Sequence, residues 1–398
     1  MIPKIDKEIG ILVYSTKFSG CGGKIRTQNE DFIVLEVLSK KAESSITEKP
    51  GYTVYKLKKH GIDTHHALND VFKKHGLRLK ALGLKDAAAT TEQYACSMNK
   101  SQSVDSITDK KYSLKRIGFV QKPLSKKDMI GNHFTIKITD AKSNITEFSE
   151  FDKILNFYGY QRFGTKRPVT HKIGKSIVQR NFDEAVNLLL NFTSEYDSQE
   201  NNELRQQLAD KSALQQLAEK IPPQMDLERI VVSELLKHGN PLTAIHALPI
   251  SIRRLYIQAY QSFIFNKTLS MAFLDGEDLF MPKENDVCYD KNGLIGRFVN
   301  DPSQLLAVPF VGYSYFKKTR FDYQISKILK EEEISPKDFF IKEMQEASNE
   351  GGFRHVSVKI DDYTINDNTV SFTLSRGSFA TILLREIMKP TDPILAGF

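Results

Sequence analysis

The sequence has little cysteine and no long apolar run, and both absences narrow the class of protein. Its three cysteines, Cys21, Cys96 and Cys288, are far apart and odd in number. This pattern argues against a disulfide framework or a zinc site and indicates reduced thiols. No apolar run approaches the length of a membrane span, and the first residues lack the apolar stretch of a secretory signal. We therefore expect a cytoplasmic protein that does not associate with a membrane.

Cofactor motifs are also missing. The glycine cluster at positions 20–23 fits neither the phosphate-binding loop nor the dinucleotide fingerprint, and we interpret it as a turn. The sequence therefore predicts a protein that needs no cofactor and no metal.

The composition that is present is typical of a globular protein with a polyanionic partner. Hydrophobic residues make up 40% and charged residues 26% of the chain, as in ordinary soluble proteins. A length of 398 residues favours two domains. The net charge of +7 and the pI near 9.0 favour nucleic acid as the partner.

The stretch ALGLKDAAATTEQYACSM at 81–98 is the strongest candidate for a catalytic segment. It places Asp86 between strand-like apolar residues and next to three alanines, which leave room beside the carboxylate. Gly83 permits a close approach by another backbone or a ligand, and a neighbouring cation such as Lys85 favours the ionised carboxylate. A plain strand–loop–strand connection with a surface ion pair fits this spacing equally well.

A second unusual stretch, GYQRFGTKRPVTHKIGK, occupies 159–175. Its glycines, aromatics and basic side chains are suited to phosphate contact and base stacking, with a solvated loop as the alternative. The basic candidates for phosphate contact are Arg162, Lys166, Arg167 and Lys172. Just before it, Phe151, Ile154, Leu155 and Tyr158 recur at helical spacing and predict a helix that ends at Gly159.

The overall pattern favours an α+β fold. Residues 32–38 predict a strand, and residues 356–360 and 370–374 alternate with period two and predict a hairpin. A helix follows from Phe379 to Met388, with Ser378 as its expected cap. The polar segment at 193–220 predicts exposed helices of an inserted domain, whose purpose its residues do not indicate. Strict β-α-β alternation is rare in this chain, which argues against a doubly wound sheet.

Four stretches in this order carry a resemblance to a known family: GKIRTQNEDFIVLEV, ALGLKDAAATTEQYACSM, NFYGYQRFG and LSRGSFATILLREIM. Together they closely resemble the TruD family of tRNA pseudouridine synthases, over nearly the whole chain. The resemblance implies a pseudouridine-synthase core, which is a mixed, mostly antiparallel sheet with flanking helices, and a TruD-specific α+β domain inserted into it. We expect residues 1–165 and 352–398 to form the catalytic domain and residues 166–351 to form the insertion.

The resemblance also implies roles for individual residues. The family's catalytic nucleophile corresponds to Asp86. Its substrate-contacting residues correspond to Phe32, Asn156 and Phe379. Members usually have Asn-Tyr-Phe-Gly where this chain has NFYG, so the aromatic expected to stack on the target base is Tyr158.

The implied reaction is isomerisation of uridine to pseudouridine, by resemblance at position 13 of tRNA, without an obligate protein partner. One ionised and desolvated carboxylate is sufficient as the nucleophile, and either Lys85 or Arg385 is a candidate to keep Asp86 ionised. The target base must leave the RNA stack, and aromatic side chains can hold it once it does.

Two other functions fit parts of the sequence. The first is an RNA-binding protein without catalytic activity, which predicts tRNA affinity and no product. The second is a hydrolase that releases free base, although such enzymes usually need two carboxylates. Only Glu30 and Asp31 are candidates for a second acid near Asp86.

Overall fold

A computed structural model of the chain describes residues 1–85, 87–100, 103–315 and 317–398. Its strands are β1 Phe32–Leu38, β2 Tyr52–Lys59, β3 Leu79–Ala81, β4 Thr90–Ser97, β5 Ser106–Thr108, β6 Tyr112–Val120, β7 Met129–Lys137, β8 Lys153–Leu155, β9 Val287–Tyr289, β10 Ile295–Arg297, β11 Leu305–Phe310, β12 Gly352–His355, β13 Ser357–Lys359, β14 Asp361–Asn366 and β15 Thr369–Ser375.

The α-helices are α1 Lys4–Glu8, α2 Lys40–Ser44, α3 Thr64–His75, α4 Thr170–Val178, α5 Phe182–Asn191, α6 Gln199–Leu208, α7 Leu214–Leu217, α8 Asp226–His238, α9 Pro241–His246, α10 Ile250–Leu274, α11 Asp322–Glu331 and α12 Ala380–Met388. Short 3₁₀ turns occupy Asn29–Asp31, Thr146–Glu150, Tyr160–Arg162, Lys211–Ala213, Ala218–Lys220, Pro336–Phe339 and Lys342–Ala347. No α-helix in the described ranges is long and apolar enough to cross a membrane.

The largest sheet comprises nine of the described strands in the order β14-β15-β7-β1-β4-β2-β6-β5, with β3 paired to β4. Of its described pairs, β1–β4 is parallel and the others are antiparallel. Strand β1 shows the alternation of buried and half-buried residues that a sheet covered mainly on one face requires. The mixed, mostly antiparallel sheet with flanking helices confirms the predicted α+β class.

Strands from both ends of the chain build this sheet. Residues 32–137 contribute β1 to β7, and β14 and β15 come from residues 361–375. Strand β15 pairs with β7 in register from Thr369–Lys137 to Ser375–Gly131. More than 200 residues of sequence therefore separate β7 from β14, although both strands belong to this sheet. The domain boundaries at 165/166 and 351/352 remain predictions.

The intervening chain is mainly helical, and α10 is its central element. Fourteen residues of α10 are buried, and it packs against α4. The contact is close at Gly174, where an added Cβ would lie 2.0 Å from the carbonyl oxygen of Tyr256. Only glycine allows this backbone approach. Within the polar segment at 193–220, α6 and α7 are the predicted helices.

The predicted helix through Phe151 and Tyr158 is wrong. The structure instead forms the short strand β8, which pairs with β13 through Ile154 and Val358. The predicted hairpin is also partly wrong, because β13 pairs with β8 while β14 supplies the partner of β15. Both errors involve the pairing of β8 with β13, because pairing with a strand about 200 residues away overrides the local pattern.

A four-stranded sheet in the described chain has the order β10-β9-β11-β12. Its last strand, β12, lies directly before β13 in the sequence. This places the end of the smaller sheet beside the segment that follows β8. The four-stranded sheet is therefore continuous in sequence with the separate two-stranded sheet of β8 and β13.

Candidate active site

A cleft of about 450 Å³ lies between the large sheet and the start of α12. We call its first side the sheet wall, which consists of Phe32, Val34, Lys85, Thr91 and Phe134. We call the opposite side the helix wall, which consists of Gln161, Thr165, Phe379 and Thr381. The remaining lining residues are Arg26, Leu84, Ala88, Ala89, Asn132, Ser378, Ala380 and Phe398.

The sheet wall places an aromatic ring at the start of β1. Phe32 is only 4% exposed and makes an edge contact with Phe134, with 6.3 Å between ring centroids. The guanidinium carbon of Arg26 lies 4.3 Å from the Phe32 ring centroid, within the range of a cation–π interaction. Phe32 thus faces the cleft while most of its surface is packed.

Asp86, the predicted nucleophile, lies outside the described residues. Its neighbours on either side, Lys85, Ala88 and Ala89, line the cleft. The backbone of Lys85 is held at both of its polar groups by Thr64. Its N–H donates to Thr64 Oγ1 at 2.9 Å, and its carbonyl accepts from the Thr64 N–H at 3.2 Å.

The side chain of Lys85 is also bonded to a neighbouring residue. Its Nζ forms an ion pair with Glu36 Oε1 at 2.7 Å, and the Glu36 side chain is fully buried. The second oxygen of Glu36 accepts from the Tyr94 N–H at 2.8 Å. A Cβ added at Gly83 would lie 2.5 Å from Glu36 Oε1 and 2.8 Å from Lys85 Nζ, so a larger residue there would displace this ion pair.

The helix wall carries the other predicted aromatic contacts. Phe379 lines the cleft and is the residue before α12, but its neighbour Ser378 does not cap the helix as predicted. The Tyr158 ring lies behind Phe379, with 5.9 Å between the centroids. Tyr158 also contacts Phe265 and Phe310. The structure therefore brings Phe32, Phe379 and Tyr158 to one end of the molecule, with Tyr158 in the layer behind the cleft surface.

Asn156 lies in the same layer and is 6% exposed. Its Oδ1 accepts from Arg354 Nη2 at 2.8 Å, and its Nδ2 donates to the carbonyl of His355 at 3.2 Å. Burial lowers the pKa of Arg354 below its usual value. Both polar atoms of the Asn156 amide are therefore engaged by β12.

Arg385, the second predicted partner of Asp86, belongs to a buried ionic cluster at the middle of α12. Its Nε lies 2.6 Å from Asp6 Oδ2 and its Nη1 lies 3.3 Å from Glu386 Oε1, with all three side chains fully buried. Burial alone would lower the pKa of Arg385, but Asp6, Tyr160 and Glu386 outweigh it and the pKa is raised. Among the described carboxylates, Arg385 forms ion pairs with Asp6 and Glu386, and Lys85 forms one with Glu36. Their assignment to Asp86 stays a prediction.

The four predicted phosphate contacts fall into two groups. Lys166 is exposed, while Arg162 and Lys172 lie over aromatic rings, at 5.3 Å from Tyr158 and 4.6 Å from Phe192. These three remain candidates for phosphate contact.

Arg167 points into the protein instead. It donates to the carbonyls of Leu188, Leu189 and Phe192 at the end of α5, where a cation also complements the helix dipole. Burial and nearby Arg205 lower the pKa of Arg167 to about 10, so it remains protonated at neutral pH. These contacts favour a structural role for Arg167 over a phosphate contact.

Sequence reasoning missed three residues of the site: Arg26, Glu36 and Arg354. Glu36 had a detectable signal, since a lone acid inside an apolar strand is unusual and needs a buried partner. Arg26 lies shortly before Glu30, Asp31 and Phe32 in the sequence, and its closeness to Phe32 could have marked it as a candidate. Arg354 had no local signal, because Asn156, its side-chain partner, is about 200 residues away.

Comparison with known proteins agrees with this arrangement. The family described as "tRNA pseudouridine synthase D (TruD)" matches residues 8–387. A relative from Pyrobaculum islandicum, named "Probable tRNA pseudouridine synthase D", is 31% identical and covers 100% of this chain and 99% of its own. A similarly named protein from Methanosarcina acetivorans is 29% identical, with 99% and 98% covered.

The fold comparison leads to the same family. A crystal structure of the putative tRNA pseudouridine synthase D from Methanosarcina mazei superposes with a TM-score of 0.79 at 27% identity, covering 99% of both chains. The family match and the shared fold both extend over nearly the full length. The chain therefore belongs to the TruD family of tRNA pseudouridine synthases, as its motifs predicted.

Proposed function

We propose that this protein isomerises uridine to pseudouridine in tRNA, at position 13, with Asp86 as the nucleophile and without a cofactor. The observation that supports it most is the cleft itself. Phe32 and Phe379, which the family resemblance implied as substrate contacts, line one cavity together with the residues that flank Asp86. The family match and the names of the relatives support the same reaction class.

The reaction exchanges one bond of the uridine for another. The bond between N1 and C1′ breaks, the uracil turns, and C5 forms the new bond to C1′. The proton on C5 is lost and N1 gains one, so the atoms balance. A carboxylate that adds covalently to the sugar or to the uracil ring suffices for this exchange, and no redox step or metal is required.

The residues around Asp86 are suited to hold a nucleophile in place. The peptide of Lys85 is bonded to Thr64 through both its N–H and its carbonyl, and its side chain is bonded to Glu36. A fixed neighbouring residue lowers the entropic cost of bringing a nucleophile to its reactive geometry. Arg26 also lines the cleft, where its guanidinium lies over the Phe32 ring.

The target uridine must leave the RNA stack to reach this cleft. Flipped bases are held by stacking on aromatic or apolar side chains. Phe32 and Phe379 both line the cleft, and the Tyr158 ring packs against Phe379. We assign the base to the space between the walls, and the RNA backbone to Arg162, Lys166 and Lys172 beside the cleft.

The test is site-resolved pseudouridine mapping on tRNA treated with purified protein. We expect wild type to form pseudouridine at position 13, Asp86→Asn to form none, and a transcript with cytidine at position 13 to remain unmodified. Asp105→Asn, which changes an exposed carboxylate at 83% side-chain exposure, is the matched control and should retain full activity.

Each alternative gives a different result. Product from Asp86→Asn at the wild-type rate would contradict the nucleophile assignment. Tight tRNA binding with no product from wild type would indicate the binding protein without catalytic activity. Free uracil in the reaction would indicate the hydrolase.

A further inference from the structure

Arg354, on β12, contacts the two segments that carry the predicted substrate residues on the helix-wall side, residues 156–158 and the turn before Phe379. Its Nη2 donates to Asn156 Oδ1 and to the carbonyl of Gly377, both at 2.8 Å. Its guanidinium carbon lies 4.1 Å from the centroid of the Tyr158 ring. Gly377 is two residues before Phe379, so one guanidinium joins the Asn156 segment, the Tyr158 ring and the turn that leads to Phe379.

The orientation of the Asn156 amide follows from these contacts. A guanidinium only donates hydrogen bonds, and a backbone carbonyl only accepts them. Arg354 therefore requires the oxygen of the Asn156 amide on its side, and the carbonyl of His355 requires the nitrogen on the other. Arg354 Nε also donates to the backbone carbonyl of Asn156 at 3.3 Å. The two consecutive residues of β12 thus determine which way this amide faces.

Arg354 also contacts the Tyr158 ring, together with Arg162, Phe265 and Phe310. A cation 4.1 Å from the ring centroid is within favourable cation–π distance. The backbone of Tyr158 is held separately, since Asn266 bonds to both its N–H and its carbonyl. Arg354 consequently acts on the ring, and the ring supports Phe379 at the cleft surface.

We propose that Arg354 is a positioning residue for uridine isomerisation, one that sets the Asn156 amide and the Tyr158 ring; this role rests on the proposed function. A direct phosphate contact is the competing role for an arginine in an RNA-modifying enzyme. The donors Nε and Nη2 of Arg354 are already directed at protein acceptors. Because these donors already have protein acceptors, a positioning role for Arg354 is favoured over a phosphate contact.

The first test separates positioning from RNA binding. We expect Arg354→Met to lower the single-turnover rate of pseudouridine formation by on the order of 10- to 100-fold, as displaced catalytic groups do. The tRNA Kd should change by less than about threefold, because no phosphate contact is lost. A raised Kd with an unchanged single-turnover rate would overturn the proposal in favour of a phosphate contact.

Arg320→Met is the matched control for general destabilisation. Arg320 is similarly half-buried and pairs with Glu277 and Asp286, far from the cleft lining. It should lower the unfolding midpoint without lowering the single-turnover rate of the folded protein. An equal rate loss in both variants would mean that Arg354 contributes only to stability.

A double-mutant cycle tests the route through Asn156. If Arg354 acts through this amide, Arg354→Met combined with Asn156→Ala should be little slower than the slower single variant. Fully multiplicative losses would overturn that route. Arg354→Lys keeps the charge near Tyr158 but not the forked donors, so it should recover only part of the rate.

Crystal structures of wild type and Arg354→Met give a readout that does not depend on activity. We expect the Asn156 amide or the Tyr158 ring to adopt a different rotamer in the variant. Unchanged rotamers at both residues would overturn the proposal even if wild type is active. Absence of pseudouridine from wild type would contradict the proposed function alone. The crystal structures would still show whether Arg354 positions Asn156 and Tyr158.

Discussion

The two walls of the cleft are stabilised in different ways. The sheet wall is held by the ladder between β1 and its neighbours β4 and β7 and by the buried Lys85–Glu36 pair. Its residues all lie between Phe32 and Phe134 in the sequence. The helix wall is held by side-chain contacts between distant segments, such as Arg354 with Asn156 and Arg385 with Asp6.

Because the two walls are stabilised differently, they should respond differently to the loss of one side chain. A strand ladder tolerates the loss of one side chain because its backbone hydrogen bonds remain. The residues of the helix wall lie outside the strands, and Arg354 and Arg385 connect the segments around them. Removing one such arginine leaves carboxylates or carbonyls unpaired in the interior, which is costly. We therefore expect the helix wall to be the more sensitive of the two.

The largest effect is expected from Arg385→Met. This change leaves the fully buried carboxylates of Asp6 and Glu386 without their cation and should lower the free energy of unfolding by about 5 kcal/mol. Urea denaturation followed by circular dichroism measures it. Asp6→Asn in the same background should recover part of the loss, whereas Lys4→Met, at an exposed pair, should change the stability by less than about 0.5 kcal/mol. A loss below 1 kcal/mol for Arg385→Met would contradict the comparison of the walls.

A smaller effect is expected from Glu36→Gln on the sheet wall. Lys85 would lose its buried partner, and we expect a loss of about 3 kcal/mol in the free energy of unfolding. Lys56→Met is the matched control, because the Lys56–Glu92 pair joins neighbouring strands of the same sheet but is about 40% exposed; its loss should be at most about 1 kcal/mol. Equal losses from the two variants would show that burial does not determine how much each ion pair contributes to the free energy of unfolding.

The smallest effect is expected from Tyr158→Phe. The ring contacts with Phe379 and Arg354 remain, and only a hydroxyl is lost, so the single-turnover rate should fall by about threefold or less. Tyr158→Ala removes the ring and should cost at least about tenfold, since Phe379 loses its support. A hydroxyl deletion as damaging as the ring deletion would give Tyr158 a polar role that its packing does not predict.

Several parts of the fold and site were predictable from the residues. Strand β1, the α+β class and the family followed from local alternation and from motifs that are contiguous in the chain. The meeting of Phe32 and Phe379 at one cleft was implied only by the family resemblance. The helix predicted over 151–158 failed because β8 gains its hydrogen bonds from β13, a partner that no local pattern identifies.

The sequence by itself determined the family, through short motifs whose residues are adjacent in the chain. It also determined the alternation of the main strands, because side chains on a strand face opposite sides with a period of two. Only the tertiary structure decided which cation faces which acid. Lys85 and Arg385 both suited Asp86 by residue type, yet they pair with Glu36 and with Asp6 and Glu386. The reason is physical: an ion pair depends on separation in space and on burial, and neither quantity can be read from separation along the chain.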